Sequence, residues 1–209
     1  MRALLSAALF FIAASAAAQT PEEQLFAAID EGKALVAEGL VARGRLDLNA
    51  RNAEQETPLH RAIEKGMKEL AALLVKGGAR VNARSANSET PLHAAAIHDD
   101  PYYADLLLGA GADPKPRNDD GESALHWAVL SGNGATARRL LERGGDPKLK
   151  DLKGNTVLHA AADGGHEDLV RLFLSLGIDA KDRNREGKTA LDFARERRYA
   201  AIVKLLENR

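Results

Sequence analysis

A four-residue phrase returns along this chain at a fixed interval. Thr57-Pro58-Leu59-His60 is followed by Thr90-Pro91-Leu92-His93, Ser123-Ala124-Leu125-His126, Thr156-Val157-Leu158-His159 and Thr189-Ala190-Leu191-Asp192, each start 33 residues after the last. A strict period of that length demands a stack of like units, each burying its apolar face against the next. Thr or Ser supplies an N-cap oxygen, and Pro at the first helical position lacks an amide that would otherwise go unpaired, so the phrase reads as a helix start. Gly66, Gly132 and Gly165 then mark a stop, and a second apolar run ends at Gly78, Gly111, Gly144 and Gly177. The spacing predicts helix, turn, helix, turn in every period, and hence an all-α chain.

The fourth copy holds Asp151, Gly154, Thr156, Leu158, His159, Ala161, Ala162, Gly165, His166, Val170, Leu172, Leu174, Gly177 and Asp179 in register. In these residues the chain resembles the ankyrin repeat. The resemblance covers nearly everything after residue 20 and implies an ankyrin-repeat solenoid of about six stacked helix-turn-helix pairs, caps included. What it implies functionally is a protein-binding surface and no catalysis or cofactor. Residues 21–50 read as an N-terminal cap, with helices from Glu22 to about Glu31 and from Ala34 to about Arg43. Fuller repeats are expected at 51–83, 84–116, 117–149 and 150–182, and a capping repeat at 183–209. Asp192 in place of His, Arg198 in place of Gly, and Arg195, Arg197 and Lys204 beside Leu191, Phe193, Ile202 and Leu205 read as a polar end to the stack.

The first 18 residues differ in composition from the rest: Arg2, an almost unbroken apolar run from Ala3 to Ala14, then Ala16-Ala17-Ala18 before Gln19. They read as a secretory signal peptide cut after Ala18, leaving a domain from 19 to 209. The run is shorter than the roughly 20 residues that cross a bilayer, so no stable membrane insertion is expected after cleavage. The expected location is the periplasm, with secretion to the medium as the alternative. There is no cysteine to form a disulfide, so stability rests on repeat stacking. With 29 Lys plus Arg against 30 Asp plus Glu, nucleic acid is not the expected partner. A soluble monomer binding another protein is.

Within the repeats, Leu70, Leu73 and Leu74, Tyr103, Leu106 and Leu107, and Leu169, Leu172 and Phe173 fall at core spacing. His60, His93, His126 and His159 invite a metal reading, but stacked helices about 8–10 Å apart cannot bring two such nitrogens to one zinc at about 2.0–2.1 Å each. The family resemblance gives them a structural role around the turn. His98-Asp99-Asp100 breaks the pattern where a glycine is due; it reads either as a helix cap opened by Pro101 or, remotely, as the centre of a metal-dependent hydrolase. Pro101-Tyr102-Tyr103 suggests an exposed aromatic at that turn. No nucleophile elbow, phosphate loop or cysteine nucleophile is present, so no enzyme is expected.

In ankyrin-like proteins the turn tips and the exposed face of the first helices carry the partner. Here that selects Ile97, His98, Tyr102, Asp119, Asp120, Glu122, Trp127, Leu130, Leu152 and Lys153, with Trp127, the single tryptophan, at mid-stack. The first three tips are acidic and the last two mixed or basic, a gradient suited to steering a complementary partner. The role is either that of an inhibitor or immunity protein against a toxin or enzyme, or that of an accessory scaffold for a periplasmic enzyme. Gln55 and Ser88 replace the tip glycines Gly121, Gly154 and Gly187, and Arg80 replaces Asp113, Asp146 and Asp179. These departures predict a conformationally different, less regular N-terminal half.

Overall fold

The computed structural model describes residues 19–207; the proposed signal peptide lies outside the described residues. Six helix pairs follow one another: α1 (Pro21–Asp30) with α2 (Ala34–Ala42), α3 (Pro58–Glu64) with α4 (Lys68–Lys76), and α5 (Pro91–Ala96) with α6 (Tyr102–Gly109). They continue as α7 (Ala124–Leu130) with α8 (Gly134–Glu142), α9 (Val157–Gly164) with α10 (Glu167–Ser175), and α11 (Ala190–Glu196) with α12 (Ala200–Glu207). Odd-numbered helices pack on one another as an inner layer, and even-numbered helices form an outer layer. The outer layer is thinnest between α8 and α10.

The core runs the length of the stack between the layers. Leu25, Leu59, Leu92, Leu125 and Leu158 are buried on the inner helices, and Leu70, Leu74, Leu107, Leu140 and Phe173 on the outer ones. Ala95, Ala128 and Ala161 are fully buried at equivalent inner positions, where a larger side chain would hold neighbouring helices apart. Each fully buried Leu stabilises by roughly 1.5–3 kcal/mol before ordering entropy is subtracted. The period works because one unit alone would leave half of this surface wet.

Three of the recurring histidines, His60, His93 and His159, do two jobs. Nδ1 of His60 accepts the amide of Thr57 at 3.2 Å and faces its hydroxyl at 2.9 Å, and Nε2 reaches the Glu89 carbonyl of the next repeat at 3.3 Å. His93 repeats this with Thr90 and the Glu122 carbonyl, and His159 with Thr156 and the Lys188 carbonyl. Since one nitrogen accepts an amide proton and the other meets a carbonyl, the ring is neutral with its proton on Nε2. Burial, which disfavours the charged ring, holds His60 and His93 down at about 4 and lowers His126 and His159 as well.

The tips are zipped by backbone bonds: amides of Ala86, Asp119, Leu152 and Arg185 donate to the carbonyls of Glu54, Asn87, Asp120 and Lys153 at 2.8–3.0 Å. A second rail runs beside them. Guanidinium groups of Arg51, Arg84 and Arg117 reach the carbonyls of Arg84, Arg117 and Lys150, each 33 residues on.

Two expectations about the N-terminal half are corrected. Gln55 and Ser88 adopt φ of 59° and 61°, the same left-handed conformation as Gly121, Gly154 and Gly187. The tips are therefore alike in shape, and the missing glycines appear as backbone strain instead. Arg80 does not weaken the inter-repeat network either. Aspartates such as Asp113 bond within their own loop, to the Lys115 amide, whereas the bond between repeats runs from the backbone amide at that position to the preceding asparagine. Arg80 donates to Asn49 Oδ1 at 2.7 Å just as Asp113 donates to Asn82 Oδ1 at 2.9 Å. Later repeats carry Lys115 and Lys148 at the asparagine register, so this particular rail belongs to the N-terminal half.

Candidate binding groove

The inner helices and the tips form one continuous face, and the selected residues divide on it. Ile97 and Leu130 sit one period apart where α5 and α7 end, and Leu152 sits on the fourth tip; they are 42, 43 and 50 % exposed. Asp119, Asp120 and Lys153 are exposed on the tips beside them, and Glu122 is half-buried at the foot of the third tip. Between the third and fifth repeats this face holds a groove of about 350 Å³, with Leu130, Ala160 and Phe193 as apolar walls and Glu122, Asp151 and Lys153 among its polar groups. Sequence reasoning missed Phe193 here, because it assigned the ring to packing between repeats, and it gave Ala160 no role.

Trp127, selected for the binding surface, packs against the preceding repeat instead. Its indole N–H donates to Glu122 Oε2 at 2.8 Å, and its ring meets His93 of the preceding repeat edge-on at 5.6 Å between centroids. It stiffens one wall indirectly, by fixing Glu122, and does not line the groove.

His98 and Tyr102 leave the selected surface. His98 Nε2 bonds the Ile63 carbonyl at 2.7 Å and its ring lies 4.9 Å from Tyr103. Asn133 makes the equivalent bond one period later, to the Ala96 carbonyl. The irregular histidine therefore substitutes for an asparagine strap between repeats. Asp100 accepts the Tyr102 amide and pairs with Lys68, the capping role expected of it. Tyr102 begins α6 in the outer layer, half-buried, with Lys68 Nζ 5.2 Å above its ring. Neither residue faces the groove; of the suggested hydrolase centre, the His98 ring is spent on the inter-repeat strap and the Asp100 carboxylate on capping, while Asp99 is exposed.

The electrostatics of the inner face are uneven. Arg61 is held by Asp30, Glu56 and Glu64, and Asp163 by Arg197 at 2.7 Å. Glu122 and Asp151 bond only neutral donors: Trp127 and Asn118 for the first, Asn155 for the second. The Glu89 carboxyl is raised above its ordinary value, first by burial and then by the facing charges of Glu56 and Asp120. Carboxylates thus recur along the first three tips and at Asp151, beside the rail of Arg51, Arg84 and Arg117.

One link of the histidine ladder is open. His126 is 2 % exposed and makes its local bond to Ser123, yet its Nε2 has no hydrogen-bond partner. Burial lowers the pKa of the ring, and the backbones of Leu149 and Asn155 lie near enough to offset part of that lowering, yet neither closes a bond of ordinary geometry to Nε2. Both His126 and Asn155 line the groove.

The ankyrin-repeat family, described as Ankyrin repeats (3 copies), matches residues 25–118, 78–151 and 125–209, which together take in nearly all the described structure. The chain belongs to the ankyrin-repeat family. No curated protein matches it. Ankyrin repeats are protein–protein interaction modules, typically without catalytic activity.

Proposed function

We propose that this ankyrin-repeat protein is exported to the periplasm and binds one partner protein through the groove and tips of its inner face. The observation that supports this reading is the exposure of Leu130 on the wall of a recess with polar groups around it, with Leu152 exposed on the neighbouring tip. Exposed aliphatic residues cluster there, whereas the equivalent first-helix position is Glu64 in the first full repeat and Asp163 in the fourth. An apolar centre inside a charged rim is the arrangement that a protein interface uses.

Two measurements test it. Residues 1–18, placed before a reporter that is active only after export, should direct it across the membrane, and N-terminal sequencing should find Gln19 first; retention of the reporter inside the cell defeats the location. A Leu130→Asp, Leu152→Asp double variant should lose partner capture while keeping its helicity. Leu176→Asp, at an exposed outer position, should retain it. The opposite result places the interface on the outer layer.

A further inference from the structure

The groove also constrains what the partner must present. We propose that it receives a basic side chain, arginine or lysine, carried on an extended stretch of the partner with aliphatic neighbours. This rests on the inner-face reading above and adds the chemistry of the partner.

Three observations converge on it. The groove, at about 350 Å³, has room for a long side chain, and Leu130, Ala160 and Phe193 offer apolar wall to a methylene stem. Its carboxylates are unequally satisfied. Asp163 already holds Arg197, and Glu186 lies 3.8 Å from Lys188, but Glu122 and Asp151 have no cationic partner among the described residues. Lys153 is the one cation among the lining residues; it is exposed and stands on a tip, free to swing outward. The carboxylates continue past Asp119 and Asp120 to Glu89, whose carboxyl is raised in part by its acidic neighbours. A cation docked alongside would relieve that repulsion.

The third observation is the unpartnered His126 Nε2–H beside the groove. A buried donor without an acceptor is a standing penalty that a new acceptor would remove. It falls at the junction where the outer layer is also thinnest. A segment entering the groove lies beside this junction. Its backbone carbonyl, next to the basic residue, is the acceptor that the imidazole lacks.

The test uses the full described chain, labelled with nitrogen-15, and two capped hexapeptides. One alternates leucine with arginine; in the other every arginine is glutamate. At low salt the arginine peptide should shift the amide signals of Leu130, Lys153 and Ala160, and added salt should reverse the shifts. Glu122→Gln keeps the acceptor for Trp127 and removes the charge, and should weaken that binding about fivefold. Arg138→Ala on exposed outer helix surface should leave it unchanged. Absence of groove shifts with the arginine peptide overturns the proposal. Equal or stronger shifts with the glutamate peptide overturn the basic preference and leave the inner-face reading standing; shifts confined to the outer helices with both peptides count against both.

Discussion

His159 and Asp192 occupy the same register in successive repeats, and their hydrogen bonds show what the histidine is for. Both return to cap the residue that opens their helix: His159 Nδ1 accepts the Thr156 amide at 3.2 Å, and Asp192 Oδ2 accepts the Thr189 amide and hydroxyl, each at 2.8 Å. The carboxylate is as good a local cap as the imidazole, and more strongly charged. Only the imidazole has a second nitrogen 29 residues' reach away, at the Lys188 carbonyl. After Asp192 there is no further helix pair among the described residues to reach for. The family phrase therefore encodes two separable functions, helix start and inter-repeat strap, and the last repeat keeps the first alone.

Acid should separate the two kinds of repeat most strongly. His60 and His93 are held at about 4 by burial against an ordinary 6.5, so below that ordinary value the unfolded chain takes up protons first. Stability present at neutral pH is lost as pH falls toward 4, by about 3 kcal/mol for each of these two histidines. The Asp192 carboxyl, lowered chiefly by the Thr189 amide, loses its contribution only below the ordinary carboxylate range. Urea unfolding at pH 7.0, 5.5 and 4.5 (about one and a half and then about one decade apart in proton activity) should show the loss beginning in the histidine window; a flat profile down to pH 4.5 would refute the neutral-imidazole assignment.

At neutral pH, His93→Ala should destabilise by about 3 kcal/mol, since it removes the cap, the strap to the Glu122 carbonyl and the edge contact with Trp127. Asp192→Ala should cost about 1 kcal/mol, the value of a cap alone; equal losses would mean that the strap contributes nothing. Asn82→Ala, which deprives the Asp113 amide and the Gly111 carbonyl of partners, should also cost about 1 kcal/mol. Ser88→Gly should stabilise by about 0.5 kcal/mol by releasing left-handed strain at φ 61°. Smallest of all, Asp192→His should change the unfolding midpoint by less than about 0.5 kcal/mol, because the added nitrogen has no strap to form. Equilibrium urea titrations of the five variants measure the series.

The repeat boundaries, both helix layers and the terminal caps could be read from the chain, because the 33-residue phrase carries its own helix start, stop and core pattern. Of the groove's apolar wall only Leu130 could be read from the chain; Leu130, Leu152 and Ile97 stand out as exposed because helix-end and tip positions usually carry polar residues. Other assignments depended on directions that a linear pattern does not contain. Trp127 could face the groove or the previous repeat, and its bond to Glu122 settled which. His98 beside two aspartates had the composition of a reactive site, yet its ring points back to the Ile63 carbonyl.

The sequence by itself determined the architecture, since period and local capping are properties of neighbours along the chain. It also showed that Gln55, Ser88 and Arg80 were exceptions, without showing what they would do. Only the tertiary structure decided that the first two keep the shared turn and that the third keeps its bond through a backbone amide. It alone revealed that one strap, at His126, fails to close. Such outcomes depend on distances of a few tenths of an ångström between residues about thirty positions apart, and a hydrogen bond forms or fails on that scale.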